Sequence, residues 1–118
     1  MNKSDCIFCK IAKGEIPSKK IYERNNFFSI PDANPIVKGH SLVISKKHFD
    51  NILEMPSSLG RELLDCVKQT AIKLMKEQKI DGFNVINNNF EAAGQVVKHV
   101  HFHIIPRKKE DNLKFFSK

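Results

Sequence analysis

The strongest constraint on the fold is the run His99-Val100-His101-Phe102-His103-Ile104-Ile105-Pro106. Histidine alternates with Val100, Phe102 and Ile104, and a period of two returns side chains to one face only in an extended strand. The run is therefore expected as a strand with three imidazoles on one face and three apolar groups on the other, ended by Pro106. At about 3.3 Å per residue, neighbouring histidines lie about 6.6 Å apart and the outer two about 13 Å apart. One metal ion, with Zn–N bonds of about 2.0 Å, cannot span the outer pair. The histidines must therefore serve at least two purposes. Neutral imidazoles lose solvation when buried, so packing alone is a poor reason to place three in register.

Upstream, Cys6-Ile7-Phe8-Cys9 is a CxxC, which in a reducing compartment is a metal half-site or a redox pair rather than a disulfide. A thioredoxin-like motif follows a strand, and only five residues precede this one, which favours metal. After a turn bracketed by Gly14 and Pro17, residues 20–24 and 27–30 are expected as two strands joined at Asn25-Asn26. Residues 32–35 form a loop, and residues 40–45 a third strand entered through Gly39. From Ser57 to Lys79 the spacing becomes helical. Leu59, Leu63, Val67, Ala71 and Leu74 fall on one stripe, with Leu64, Ile72 and Met75 beside it and Ser57 or Ser58 as the cap. Cys66 is expected as a small buried apolar residue. Residues 83–87 alternate again, and a polar loop from Asn87 through Gln95 leads into the histidine strand. The pattern predicts an α+β domain with a five-stranded antiparallel sheet and one long helix.

With 118 residues, 41% of them hydrophobic, the chain suits a single domain over 1–107, with 1–18 as the CxxC segment and 108–118 as a basic tail. The tail is expected to be loosely ordered, with Phe115 and Phe116 available to a partner subunit. No apolar run approaches the roughly 20 residues of a membrane span and no signal-peptide core is present, so a cytoplasmic location is expected. The formal charge of +7 attracts anionic ligands. Because the lysines are spread along the chain, nucleic acid is not an expected partner.

The run Gly94-Gln95-Val96-Val97-Lys98-His99-Val100-His101-Phe102-His103-Ile104-Ile105 resembles the signature of the histidine triad superfamily. The likeness extends to Cys6-Ile7-Phe8-Cys9, Gly14-Glu15-Ile16-Pro17, the Asp32 loop, Lys38-Gly39-His40, Lys46-Lys47-His48 and the Asn-rich turn. It resembles most the CxxC-containing nucleotide-binding branch. This implies a short N-terminal helix and a homodimer whose sheets join. It also implies a nucleotide hydrolase or transferase that acts on purine nucleoside 5′-phosphate derivatives, such as nucleoside phosphoramidates and acyl-adenylates, through a nucleotidyl-histidine. By that resemblance His101 is the nucleophile, His40 and His103 support it, Asp32 accepts the ribose hydroxyls, Asn88 contacts the phosphate or leaving group, and Gln95 belongs to the phosphate loop. Cys6, Cys9, His48 and His99 match the structural zinc ligands of that branch.

The chemistry of the residues agrees. A neutral imidazole attacks phosphorus near pH 7 when a hydrogen bond to its other nitrogen fixes the tautomer. Backbone N–H groups of Gln95 to Val97 are candidate donors to the phosphoryl oxygens. A closed Cys2His2 site leaves no coordination place for water and is structural. Ile7, Phe8, Phe28 and Ile30 are the apolar candidates for packing the base, and Val96 and Val97 complete the nucleotide set. Many family members carry Ser or Thr where this chain has Val96, and small residues where it has Phe90, which is expected to narrow or cover the pocket. Three alternatives stay open. Glu91-Ala92-Ala93-Gly94-Gln95, with Val97-Lys98-His99 and Pro106-Arg107-Lys108, resembles the fragile-histidine-triad branch, a dinucleoside polyphosphate hydrolase. The chain can also be read as a nucleotide-binding module with little turnover, or as a zinc hydrolase with His101 and His103 as ligands.

Overall fold

A computed structural model describes residues 5–115, so Phe116 lies outside the described residues. In chain order the elements are α1 (Ile7–Ala12), β1 (Tyr22–Glu23), β2 (Phe27–Pro31), β3 (Ser41–Ser45), α2 (Gly60–Glu77), β4 (Gly82–Ile86) and β5 (His101–Arg107). The strands form one antiparallel sheet in the order β1-β2-β3-β5-β4. The last strand therefore sits inside the sheet, between β3 and β4.

The two faces of that sheet carry two cores. Phe28 and Ile30 of β2 and Leu42 and Ile44 of β3 pack against Cys6, Phe8, Cys9 and Ile11 from α1 and its cap. On the other face Phe27, Val43, Val100, Phe102 and Ile104 meet Cys66 and Leu74 of α2. Because β5 pairs Leu42 with His103 and Ile44 with His101, the imidazoles face α1 and the intervening apolar groups face α2. The expected division of the histidine strand is present, with one change: β5 begins at His101, and His99 lies in the bend before it.

Pro106 does not end the strand, which runs on to Arg107. The Arg107 carbonyl accepts from Asp81 on the β4 side, so the prolyl nitrogen one residue earlier points toward β3. Pairing with β3 stops at Ile104, and no ladder bond is lost there. The N-terminal hairpin is shorter than expected, with only Tyr22 and Glu23 in β1. His40 stands just outside β3.

Helix α2 follows the apolar stripe, with Leu59, Leu63 and Val67 against the core and Cys66, Ala71 and Leu74 buried. Burial pushes the Cys66 thiol up to about 11, which keeps it protonated as an apolar filler. Leu64, Ile72 and Met75 are exposed, not core, because the apolar arc is wider than the sheet beneath it. Neither Ser57 nor Ser58 caps the helix; both lie in a 3-10 turn that runs into it. No described helix is long and apolar enough to cross a membrane.

Residues 108–115 are tied down rather than loose. Asp111 accepts from the Arg107 guanidinium at 2.8 Å twice, the same guanidinium donates to the Leu113 carbonyl, and it lies 5.5 Å from the Phe115 ring centroid. The loop between β4 and β5 holds Phe90 at φ 72° and ψ 155°, fixed by its N–H on Gln95 Oε1 at 2.7 Å. This conformation is close to glycine-only and costs a side-chain-bearing residue about 1–3 kcal/mol. Phe90 is 55% exposed and contributes little packing in return. Phe90→Gly is expected to raise stability by about 1 kcal/mol after the entropy of glycine is subtracted, visible as an upward shift in Tm. An unchanged or lower Tm would show that the loop carries no such strain.

Candidate active site

Beside β5 on the α1 face lies a cleft of about 600 Å³, lined by Ile7, Phe8, Ile30, Asp32, His40, Val96, Val97, His101 and His103 among others. Nine of the expected nucleotide and catalytic positions thus share one cavity. Three do not line it. Phe28 is fully buried beneath the α1 face, with Lys20 Nζ 5.5 Å from its ring centroid. The Gln95 side chain turns inward, accepts from Phe90 N–H, and donates to the carbonyls of Asp50 at 2.6 Å and Val97 at 3.1 Å. Asn88 lies beside Gly94 in the loop. Phe90 does not narrow this cleft; it borders a separate groove with Asp50, Asn51 and Lys98.

Hydrogen bonds assign the tautomers of the cleft histidines. His101 Nδ1 is 2.7 Å from the His99 carbonyl, an oxygen that only accepts, so Nδ1 carries the proton and Nε2 keeps its lone pair. Among the described residues nothing bonds that Nε2. The Ile36 N–H donates to His40 Nδ1 at 3.1 Å, which puts the His40 proton on Nε2. That proton is donated to His103 Nδ1 at 2.9 Å, and His103 in turn holds its proton on Nε2. Asp32 Oδ2 stands 3.4 Å from His40 Nε2, while Asp32 Oδ1 accepts the Asn34 N–H at 2.8 Å. Burial lowers the pKa of all three histidines, His103 to about 4, and the nearby carboxylate of Asp32 only partly offsets this.

Asp32, His40 and His103 bring three ligand-type atoms within 4.8 Å of one another. They do not suit a metal, because the Ile36 N–H occupies His40 Nδ1 and the proton on Nε2 is committed to His103. The arrangement is a proton-ordered relay. Asp32 is also the only ionised side chain lining the cleft among the described residues, so the excess positive charge of the chain lies elsewhere. An anion in the cleft would meet neutral donors instead. Of the expected backbone donors, Gln95 N–H is already bonded to the Phe90 carbonyl at 3.2 Å. The N–H groups of Val96 and Val97 have no partner among the described residues.

Next to the cleft, Cys6, Cys9, His48 and His99 converge. Cys6 Sγ is 3.2 Å and Cys9 Sγ 3.5 Å from His99 Nδ1, and Cys9 Sγ is 3.3 Å from His48 Nδ1. Tetrahedral coordination with Zn–S of about 2.3 Å and Zn–N of about 2.0 Å gives sulfur–nitrogen edges of about 3.5 Å. Both imidazoles turn Nδ1 inward and their other nitrogen outward, His99 Nε2 to the Ser45 carbonyl at 2.7 Å and His48 Nε2 to Asp50 Oδ1 at 2.7 Å. These outer bonds leave a lone pair on each inward nitrogen, the pattern of metal-binding histidines. The four residues fit a tetrahedral metal ion.

Four contributors were not predicted from the sequence: Ser45 and Asp50 behind the metal ligands, Ile36 behind His40, and Asn87, whose Nδ2 donates to the His101 carbonyl at 2.9 Å. Only Asp50, two residues from His48, offered a local signal.

A family model described as HIT domain matches residues 13–110, starting after α1 and so after both Cys6 and Cys9. The chain is 44% identical over 115 residues to an adenosine 5′-monophosphoramidase of Candida albicans, covering 91% of this chain and 73% of that protein. It is 43% identical over 111 residues to an adenylylsulfatase of Arabidopsis thaliana, covering 94% of this chain but only 56% of that longer protein. A Zn-bound histidine triad family protein from Mycobacterium smegmatis superposes with a TM-score of 0.88 at 33% identity, over 99% of this chain and 85% of that one. A domain match across most of the chain, with sequence and structural likeness over nine tenths of it, leads to one conclusion: the chain belongs to the HIT domain family.

Proposed function

We propose that the chain is a nucleotide hydrolase that cleaves the bond between the α-phosphorus of a purine nucleoside 5′-phosphate derivative and its leaving group. The observation that carries this reading is the Nε2 of His101, unbonded among the described residues, on a nucleotide-sized cleft with its tautomer set by the His99 carbonyl. In this scheme Nε2 attacks the α-phosphorus, an N–P bond forms, and the leaving group departs with its bonding pair and takes a proton from water. The imidazolium that results keeps its Nδ1–H on the His99 oxygen, which stabilises the positive charge. Water then attacks phosphorus, its released proton neutralises the hydroxide left by the first step, the N–P bond breaks with its pair returning to Nε2, and the nucleoside monophosphate leaves neutral His101 behind. His103 Nε2–H and the N–H groups of Val96 and Val97 serve as preorganised donors to the phosphoryl oxygens. Asp32 accepts from the ribose, Ile7, Phe8 and Ile30 hold the base, and Gln95 and Asn88 shape the loop.

The Cys6/Cys9/His48/His99 site is assigned to a structural Zn²⁺, supported by its donor set and by the zinc-bound relative. Metal binding requires both cysteines as thiolates, in keeping with a reducing, cytoplasmic setting. A homodimer is proposed through β4, a sheet edge that exposes Phe83 and Val85.

The substrate reading is tested by release of AMP from adenosine 5′-phosphoramidate and from diadenosine triphosphate, side by side. Turnover of the first in preference to the second is expected. Preference for the second would move the chain to the dinucleoside polyphosphate branch, and binding of AMP without turnover of either would make it a binding module. The pH profile gives a separate check. Because burial lowers the cleft histidines, their neutral forms persist below the ordinary value near 6.5. The kcat/KM profile is expected to stay flat as pH falls through 6.5, with its acid limb below that value. An acid limb at 6.5 would mean that the working histidine is not a buried one.

A further inference from the structure

The segment Cys6-Ile7-Phe8-Cys9 belongs to both centres. Its thiols face His48 and His99, while Ile7 and Phe8 line the cleft. The Phe8 ring stands edge-on to His99 and to His101, with centroids 5.8 Å and 5.1 Å away. His99 is shared in the same way. It is fully buried, its Nδ1 faces the thiols, its Nε2 is held by the Ser45 carbonyl, and its own carbonyl accepts the His101 Nδ1–H. One residue therefore carries a metal-facing nitrogen and the oxygen that selects the nucleophile's tautomer.

Building on the metal and nucleotide assignments above, we propose that the Cys6/Cys9/His48/His99 cluster is a positioning centre for the nucleotide site. Closed around a divalent cation, it locks His99 and Phe8, and so fixes both the lone pair that His101 presents and the wall against which the base packs. A cluster that served only folding would be indifferent to whether the cleft is filled. A positioning centre is linked to the cleft, and linkage is reciprocal: metal tightens nucleotide binding by the same factor as nucleotide tightens metal binding.

The test uses the full chain with Co²⁺ as probe metal and AMP as probe nucleotide. Saturating AMP is expected to shift the ligand-field bands of the cobalt-loaded chain. Stripping the cobalt is expected to raise the AMP Kd by about 5- to 150-fold at unchanged circular dichroism, the range of ordinary site-to-site coupling. The ¹⁵N signals of His101 are expected to pass from a single Nδ1–H form to a mixture of tautomers. If AMP binds while the cobalt bands, the AMP Kd and the His101 signals ignore the other ligand, the coupling is overturned and the metal and nucleotide assignments stand. A chain that takes up no cobalt overturns the coupling and the metal assignment together. If the stripped chain loses its circular dichroism, the band shift in the loaded chain decides alone.

Discussion

His101→Ala is expected to lower kcat/KM for adenosine 5′-phosphoramidate by at least about a hundredfold and toward about ten-thousandfold, the span associated with one catalytic group. A hundredfold corresponds to about 2.7 kcal/mol of lost transition-state stabilisation. The expectation rests on position more than on residue type. Of the cleft histidines, His40 and His103 spend nitrogens on one another, whereas among the described residues only His101 keeps an unbonded Nε2 lone pair at the cleft. His103→Ala should therefore cost less, because it removes a donor and leaves the nucleophile. AMP binding by His101→Ala should stay within a few fold, since Ile7, Phe8, Ile30 and Asp32 still line the cavity. Steady-state kinetics with a binding isotherm on the same sample separates the two effects. Equal losses for His101→Ala and His103→Ala would remove the distinction between nucleophile and support.

Cys9→Ala is expected to have the largest effect on the fold itself. Cys9 is 5% exposed and packs within the α1 core, and its Sγ lies beside both His48 and His99. Removing one buried partner from a charged cluster typically costs about 3–5 kcal/mol, because the remaining charges stay buried without it. Part of the energy that holds α1 to the sheet is lost as well. A fall in Tm of at least about 10 °C with loss of bound metal is expected, measured by calorimetry and metal analysis. Cys66→Ala is the contrast. Cys66 lies in the other core, on α2 where it packs against the sheet, and this variant should keep its full metal content. A Cys9→Ala protein with unchanged metal and an unchanged Tm would show that the four residues are packed side chains and nothing more.

What could be read from the chain divides along physical lines. The period-two run fixed both faces of β5, because an interior strand must satisfy two cores at once and alternation has no other cause. The apolar stripe located α2, but its width misled: Leu64, Ile72 and Met75 match the helical period and still face outward. The convergence of Cys6, Cys9, His48 and His99 was legible as residue types at suggestive positions, helped by family likeness. The bend that releases His99 from β5 was not, since there His99 meets Cys6 and Cys9, 93 and 90 residues distant in the chain. The His40–His103 relay is similarly non-local, formed by two histidines 63 residues apart. Phe90 at positive φ had no signal beyond a loop rich in Asn and Gly, because the side chain contradicts the backbone it sits on. Ser45 and Asn87 looked like ordinary polar residues, and only the folded chain shows which carbonyl or imidazole each one meets.

The proposed reaction passes through a covalent bond between His101 and the α-phosphorus. The direct measurement is rapid acid-free quenching of the chain during turnover of adenosine 5′-phosphoramidate, followed by digestion and mass spectrometry of the peptide that carries residues 99–107. An adenylyl group on His101, formed and lost at rates that match turnover, is the predicted result. Steady turnover with no adduct, or with the adduct on His103 or His40, would contradict it.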